Sequence, residues 1–389
     1  MFSRRTEWGL APNRFSQEIE RAHAAGQRLL DLSISNPTRA GISYDGKAIV
    51  ASLSNPGVLD YDPQPKGAPS ARESVAEYYL RRGDIVSADQ LILTASTSEG
   101  YSHVFRLLAN AGEEVLIPKP SYPLFDFLAE LQDVKLVPYP LIYDHGWQID
   151  FHSLERAITA ATRAIVLVNP NNPTGSFVSA EERKKLDEIC REHHLALIVD
   201  EVFLDYSLDD DRHPSFAANN DALTFTLSGL SKISALPQMK LGWIAVSGPG
   251  ELVKAAMDRL EVIADTYLSV SAPVQLAART LLGQRTLIRP QIAERTRRNL
   301  EQFDAELGKQ KACARLSVEG GWYAVLRVPV TQSDEDLAIS LLREQSVLVH
   351  PGHFYDFPQD GYLVLSLITP QEEFREGIVR ILEVFANNA

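Results

Sequence analysis

"AIVLVNPNNPTGSFVSAEERKKLDEICREHHLALIVD", residues 164–200, decides how the chain folds. Two short runs rich in Val, Ile and Leu, Ala164 to Asn169 and Leu195 to Val199, flank a longer helix-like stretch, the pattern of a βαβ unit in a parallel sheet. Similar runs recur at Glu114 to Pro118, Val134 to Pro138, Leu223 to Leu227 and Leu241 to Val246. Each reads as a strand buried on both faces. Helix-like stretches lie between them. In "STSEGYSHVFRLLANAGEE", Ser96 stands three residues before Glu99, the spacing of a capping box. Tyr101, Val104, Leu107 and Leu108 form an apolar stripe along that helix, and Gly112 marks its stop.

From about Leu287 the texture changes. "RPQIAERTRRNLEQFDAELGKQ" reads as one long charged helix, followed by strand-like "GWYAVLRVPV", "SVLVHP" and "YLVLSLI" around another helix. The N-terminal "LLDLSIS" is sheet-like but belongs to a segment too short to fold alone. The expected architecture is α/β: residues 46–286 as a large unit with a mainly parallel sheet sandwiched by helices, and residues 1–45 with 287–389 as a smaller α+β unit.

Composition narrows the function. The 389 residues are 45% hydrophobic and 23% charged, enough for a large core. A formal net charge of −13 argues against a nucleic-acid surface, which needs a basic face. Cys190 and Cys313 are the only cysteines and stand in unrelated contexts, so neither a disulfide framework nor a CxxC-type metal site is expected. His350 and His353 have no companion ligand set for a closed metal site. The N-terminus has no leader-like apolar core, and no segment approaches the ~20 apolar residues of a membrane span. The expectation is a cytoplasmic protein acting on small molecules.

The chemistry gathers at strand ends. Tyr122 follows the strand at Glu114, Asn172 the strand at Ala164, Asp200 the strand at Leu195, and Lys232 the strand at Leu223. In an open α/β sheet the ligand crevice lies beyond the carboxyl ends of the strands, so these four side chains should face one site. The helix that starts after Ser96 adds an anion cradle suited to a phosphate. A phosphate cradle, an aromatic ring, an amide, a buried carboxylate and a lysine suit pyridoxal 5′-phosphate. A partly desolvated lysine can bind an aldehyde, a carboxylate can keep a pyridine nitrogen protonated, an aromatic ring can stack, and an amide can donate to a ring oxygen.

With these residues in place, the chain resembles the fold type I pyridoxal-phosphate aminotransferases of classes I and II. "NPNNPTG", "IVDEVFLDY" and "GLSK" come in the expected order, with "YDPQPKGAPSAR", "PKPSYP" and "HPGHFY" in flanking positions. The resemblance spans nearly the whole chain and implies a seven-stranded-type sheet. It implies Lys232 as Schiff-base lysine and proton shuttle, Asp200 as pyridine-nitrogen partner, Asn172 as ring-oxygen donor and Tyr122 as stacking residue. Ser96, Thr97, Ser231 and Lys240 would hold the phosphate. Tyr61 would reach the neighbouring subunit's phosphate, which implies a homodimer with shared active sites. Ser35, Asn36 and Tyr267 would line the substrate pocket.

Three positions depart from the family pattern. Phe203 stands where a tyrosine usually donates to the cofactor's ring oxygen, and a phenyl ring cannot donate. Lys240 replaces an arginine, which keeps charge but loses the two-pronged geometry. Val364 stands where an arginine usually clamps the substrate carboxylate, and no arginine lies between Arg343 and Arg375. Arg343, Lys66, His350 and His353 are the substitutes considered, or the substrate presents another group. The expected function is transfer of an amino group from an amino donor to a 2-oxo acid. A β-lyase or decarboxylase on the same fold, and a degenerate binding or regulatory protein, are the alternatives.

Overall fold

The computed structural model describes residues 1–386 apart from 124, 210 and 211. The short strand β1 (Leu30–Asp31) lies near the N-terminus. Eight strands then follow: β2 (Leu91–Thr94), β3 (Glu114–Lys119), β4 (Lys135–Tyr143), β5 (Trp147–Ile149), β6 (Thr162–Val168), β7 (Ala196–Asp200), β8 (Thr224–Gly229) and β9 (Gly242–Ser247). They form one sheet in the order β2-β9-β8-β7-β6-β3-β4-β5. The pairings from β8 through β7, β6 and β3 to β4 are parallel. β9 runs antiparallel to both its neighbours, and β5 is an antiparallel addition at the far edge.

The α/β class and the mainly parallel sheet are as the sequence led us to expect, with an eighth strand in place of the seven-stranded type. The extra one is β5, three residues folded back on the extended β4. Side-chain alternation explains how both faces bury. Val166, Ile198 and Phe225 enter one apolar cluster with the helices Thr97–Leu108 and Gly250–Tyr267. Ile165, Leu197 and Val199 enter another on the opposite face, with the helix Ala180–His193. Asp200 shares the parity of Ile198, so its side chain turns toward the helix Thr97–Leu108.

That helix begins as expected, with one difference. Ser96 is the N-cap and accepts from the Glu99 N–H at 3.2 Å, but the Glu99 carboxylate accepts from Ala95 N rather than from the Ser96 N–H. Only half of the capping box forms. The helix ends at Leu108, and Gly112, at φ 84°, sits in the turn beyond.

The C-terminal part holds the strands β10 (Ala314–Arg315), β11 (Tyr323–Arg327), β12 (Val347–Leu348), β13 (His350–Pro351) and β14 (Tyr362–Ser366). β10, β11, β14 and β13 form an antiparallel sheet in that order, while β1 pairs in parallel with β12. The long charged helix spans Arg285–Leu307. Among the described residues no helix is long and apolar enough to cross a membrane, and no cluster of metal-ligating side chains occurs.

Candidate active site

A cavity of about 280 Å³ opens at the carboxyl ends of β3, β6, β7 and β8. Its lining includes Tyr122, Asn172, Asp200, Phe203, Thr97, Ser231, Lys232 and Ser35. The four strands thus bring their terminal side chains to one place, and the N-terminal turn of the helix Thr97–Leu108 supplies Thr97 and Ser98 at its side.

Lys232 lies in the short helix Leu230–Ile233 that follows β8. Gly229 makes that turn possible. A Cβ there would come within 2.8 Å of the Leu241 carbonyl oxygen and 2.9 Å of Gly242 Cα. The Lys232 ammonium donates to the Ser35 carbonyl at 3.4 Å and lies 4.9 Å from the Trp322 ring centroid and 5.5 Å from that of Phe203. Desolvation by these neighbours lowers its pKa to about 8, against the opposing pull of Asp200. The backbone below is held by the Tyr206 hydroxyl, which donates to the Lys232 carbonyl at 2.7 Å.

Asp200 ends β7 and is buried. Desolvation pushes its pKa up to about 6, opposed by a hydrogen bond from the Val202 N–H at 3.1 Å, a second from the Tyr101 hydroxyl at 3.3 Å, and the charge of Lys232. Asn172 is buried at the cavity wall, and its Oδ1 has no hydrogen-bond partner among the described residues. Tyr122 packs edge-on against Phe125 at 5.8 Å, and burial raises its pKa to about 12. A lysine, a carboxylate, an amide and a ring around one void can capture an aldehyde-bearing aromatic ligand and hold its ring.

The remaining sequence-derived residues lie elsewhere. Ser96 is occupied with capping and does not line the cavity. Lys240 is exposed, at φ 52°, after the turn Pro237–Met239. Asn36 caps the turn Pro37–Arg39 by accepting from Thr38. Tyr61 is exposed and borders a separate cavity of about 250 Å³ with His103 and Ser269. Tyr267 packs against the His103 ring at 5.2 Å. Val364 is buried in β14, paired across the sheet with Val325 and His350, within the apolar cluster that holds Phe203 and Trp322.

None of the four cations considered as substitutes lines the cavity. Arg343 is bound to Glu18 at 2.8 Å and Lys66 is paired with Glu261 at 3.6 Å. His350 has its pKa lowered by burial and shares a 3.0 Å hydrogen bond with the Tyr355 hydroxyl, while His353 packs edge-on to Phe354. The residues that sequence reasoning missed are Tyr101, Ser98, Trp322 and Tyr323. Tyr101 was legible only as part of an apolar stripe. Trp322 and Tyr323 come from a strand-like run whose position against the large sheet no local pattern discloses.

The model of the family described as aminotransferase class I and II matches residues 29–381. A glutamate-pyruvate aminotransferase of Haemophilus influenzae is 29% identical over 375 residues, covering 94% of this chain and 92% of that protein. An alanine aminotransferase of Mycobacterium bovis is 30% identical over 381 residues, covering 94% and 87%. Among solved structures, an Escherichia coli aminotransferase matches with a TM-score of 0.86 at 25% identity over 99% of this chain and 98% of that one. An alanine aminotransferase from Pyrococcus furiosus matches with a TM-score of 0.89 at 22% identity over 100% of both chains, a likeness of fold.

Proposed function

The chain belongs to the class I and II aminotransferase family, and from that premise we propose that it exchanges the amino group of alanine with a 2-oxo acid. It is a pyridoxal-phosphate-dependent transaminase, acting on an amino donor and a 2-oxo acid acceptor. The observation that carries the site assignment is the convergence of Lys232, Asp200 and Asn172 on one cavity.

These residues fit the cofactor. Asn172 Nδ2 would donate to the ring oxygen, Asp200 would face the ring nitrogen, Tyr122 would lie on the ring, and Thr97, Ser98 and Ser231 would hold the phosphate. When bound, the cofactor supplies an aldehyde that carries the amino group and a ring that accepts electron density. Lys232 would hold the aldehyde until the donor's amine displaces it, and its freed Nζ would then take the proton from the donor's α-carbon and deliver it to the former aldehyde carbon, on the far side of the shared nitrogen. A pKa lowered to about 8 lets that amine act as a base near neutral pH. Phe203 leaves the ring oxygen with one donor fewer.

Alanine is assigned because two relatives are named for alanine or for glutamate and pyruvate. The substrate carboxylate is assigned to Arg39. This exposed arginine closes the turn that starts beside Ser35, and its guanidinium makes no hydrogen bond or ion pair among the described residues. Ala40, the next residue, is buried in the cluster with Trp322, and its carbonyl accepts from Arg295 at 3.1 Å, which fixes the end of a turn whose start follows the cavity-lining Ser35. Residues 46–286 form the cofactor-binding unit, with 1–45 and 287–389 as the smaller one. The enzyme is a cytoplasmic homodimer in which Tyr61 serves the partner's site and Tyr267 the substrate pocket.

The test is a steady-state assay. The loaded enzyme should turn L-alanine and a 2-oxo acid into pyruvate and a new amino acid, and Arg39→Gln should raise the alanine KM by roughly 10–100-fold, the scale of a lost charge-assisted pair. Absence of pyruvate would refute the alanine assignment, and an unchanged KM would refute the role of Arg39.

A further inference from the structure

Asp200 meets different company at each oxygen. Oδ1 accepts from the Val202 N–H two residues along its own chain, a bond that any residue type at position 202 except proline would supply. Oδ2 accepts from the Tyr101 hydroxyl at 3.3 Å, which among the described residues is its one side-chain donor. Tyr101 is 1% exposed. Its ring is fixed edge-on by Phe125 at 5.4 Å and tilted against Phe105 at 5.8 Å, so the hydroxyl has little freedom to turn away.

The placement follows from the helix. Thr97 and Ser98 open Thr97–Leu108 and line the cavity, and Tyr101 lies four and three residues further on, the spacing that puts it on their face. One rigid element therefore touches the phosphate end of the cavity and, a turn later, the carboxylate at its other end. We propose that Tyr101 is a positioning residue for the transamination: its hydroxyl fixes which way the Asp200 carboxylate faces and how firmly that carboxylate holds its charge against the cofactor's ring nitrogen.

The physical reason is the penalty on a buried anion. A carboxylate taken out of water keeps its charge only where donors replace the water, and each donor to the ionised form favours it. The titratable groups around Asp200 are Tyr101 from the helix, Lys232 after β8 and Tyr122 after β3. Lys232 would no longer present a free ammonium once its Nζ held the aldehyde. Tyr122 makes no hydrogen bond to Asp200. Burial and the Asp200 charge raise the Tyr101 pKa well above that of a free phenol, so it remains a donor throughout the working pH range.

This inference rests on the reading that Asp200 partners the ring nitrogen, and a double-mutant cycle separates the two. Tyr101→Phe keeps the ring and its packing and removes one hydroxyl. Pyridoxal phosphate dissociation from the enzyme, measured against pH, should show the acid-side loss of affinity moving up by about one pH unit, with kcat down roughly tenfold and the donor KM unchanged. In an Asp200→Asn background the same substitution should change neither quantity. An unmoved acid limb in Tyr101→Phe, or an equal effect in the Asp200→Asn background, would overturn the role of Tyr101. Asp200→Asn alone behaving as wild type would instead overturn the reading of Asp200 beneath it.

Discussion

At Asp200 the fold keeps a carboxylate where burial opposes its charge, pushing its pKa up to about 6. An unfolded aspartate titrates near ~3.9. Because the folded value is the higher, the cofactor-free protein is penalised as pH rises through that interval, and the full penalty is present above about 6. Asp200→Asn removes the ionisation. The cofactor-free variant should therefore unfold at higher denaturant than wild type at pH 8, by roughly 1–2 kcal/mol, with the difference gone at pH 4. Denaturant titrations at the two pH values check this, and a variant destabilised at both would show that the carboxylate is not strained by its site. The same substitution should lower activity, since what costs stability is what the cofactor's ring requires.

The elements carry the placement of these groups. Gly229 ends β8 at φ 174°, an ordinary extended conformation, so space and not backbone strain requires glycine there. The Leu241 carbonyl and Gly242 backbone leave no room for a methyl group. Gly229→Ala should cost about 1–3 kcal/mol of stability and, by shifting the next three residues, displace Lys232 and weaken cofactor capture. Thermal melts and cofactor binding measured together report both effects. Legibility followed the same lines. The runs at β3, β6, β7 and β8 were readable because each is short, apolar and followed by a residue with chemistry, so their ends could be aligned without knowing the sheet order. β2 was not readable, being four residues beside a helix start, and neither was β5, whose three residues gain their register only from β4. Tyr101 reads as core from its spacing, and its ring is core; only its hydroxyl does more.

Across the whole molecule, the cavity is closed by residues distant in sequence. Ser35 comes from the N-terminal segment and Tyr323 from β11, and both line the void that β3, β6, β7 and β8 open. The walls of the site depend on long-range packing, which explains why its floor was legible and its rim was not. Val364 does not line that void. Its strand was legible as an apolar run, but the strand's burial against Val325 and His350, which removes Val364 from any contact with substrate, depends on the neighbours β11 and β13. Lys240, expected at the phosphate, is exposed at φ 52° after the turn Pro237–Met239 and does not line the cavity.

The measurement that bears most directly on the account is reductive trapping of the cofactor followed by peptide mapping. Protein loaded with pyridoxal phosphate, reduced with borohydride and digested, should carry one phosphopyridoxyl group, on the peptide containing Lys232, and L-alanine added before reduction should prevent the labelling. A label on another lysine, or none at all, would contradict the assignment of Lys232 and with it the reading of the cavity as the seat of transamination.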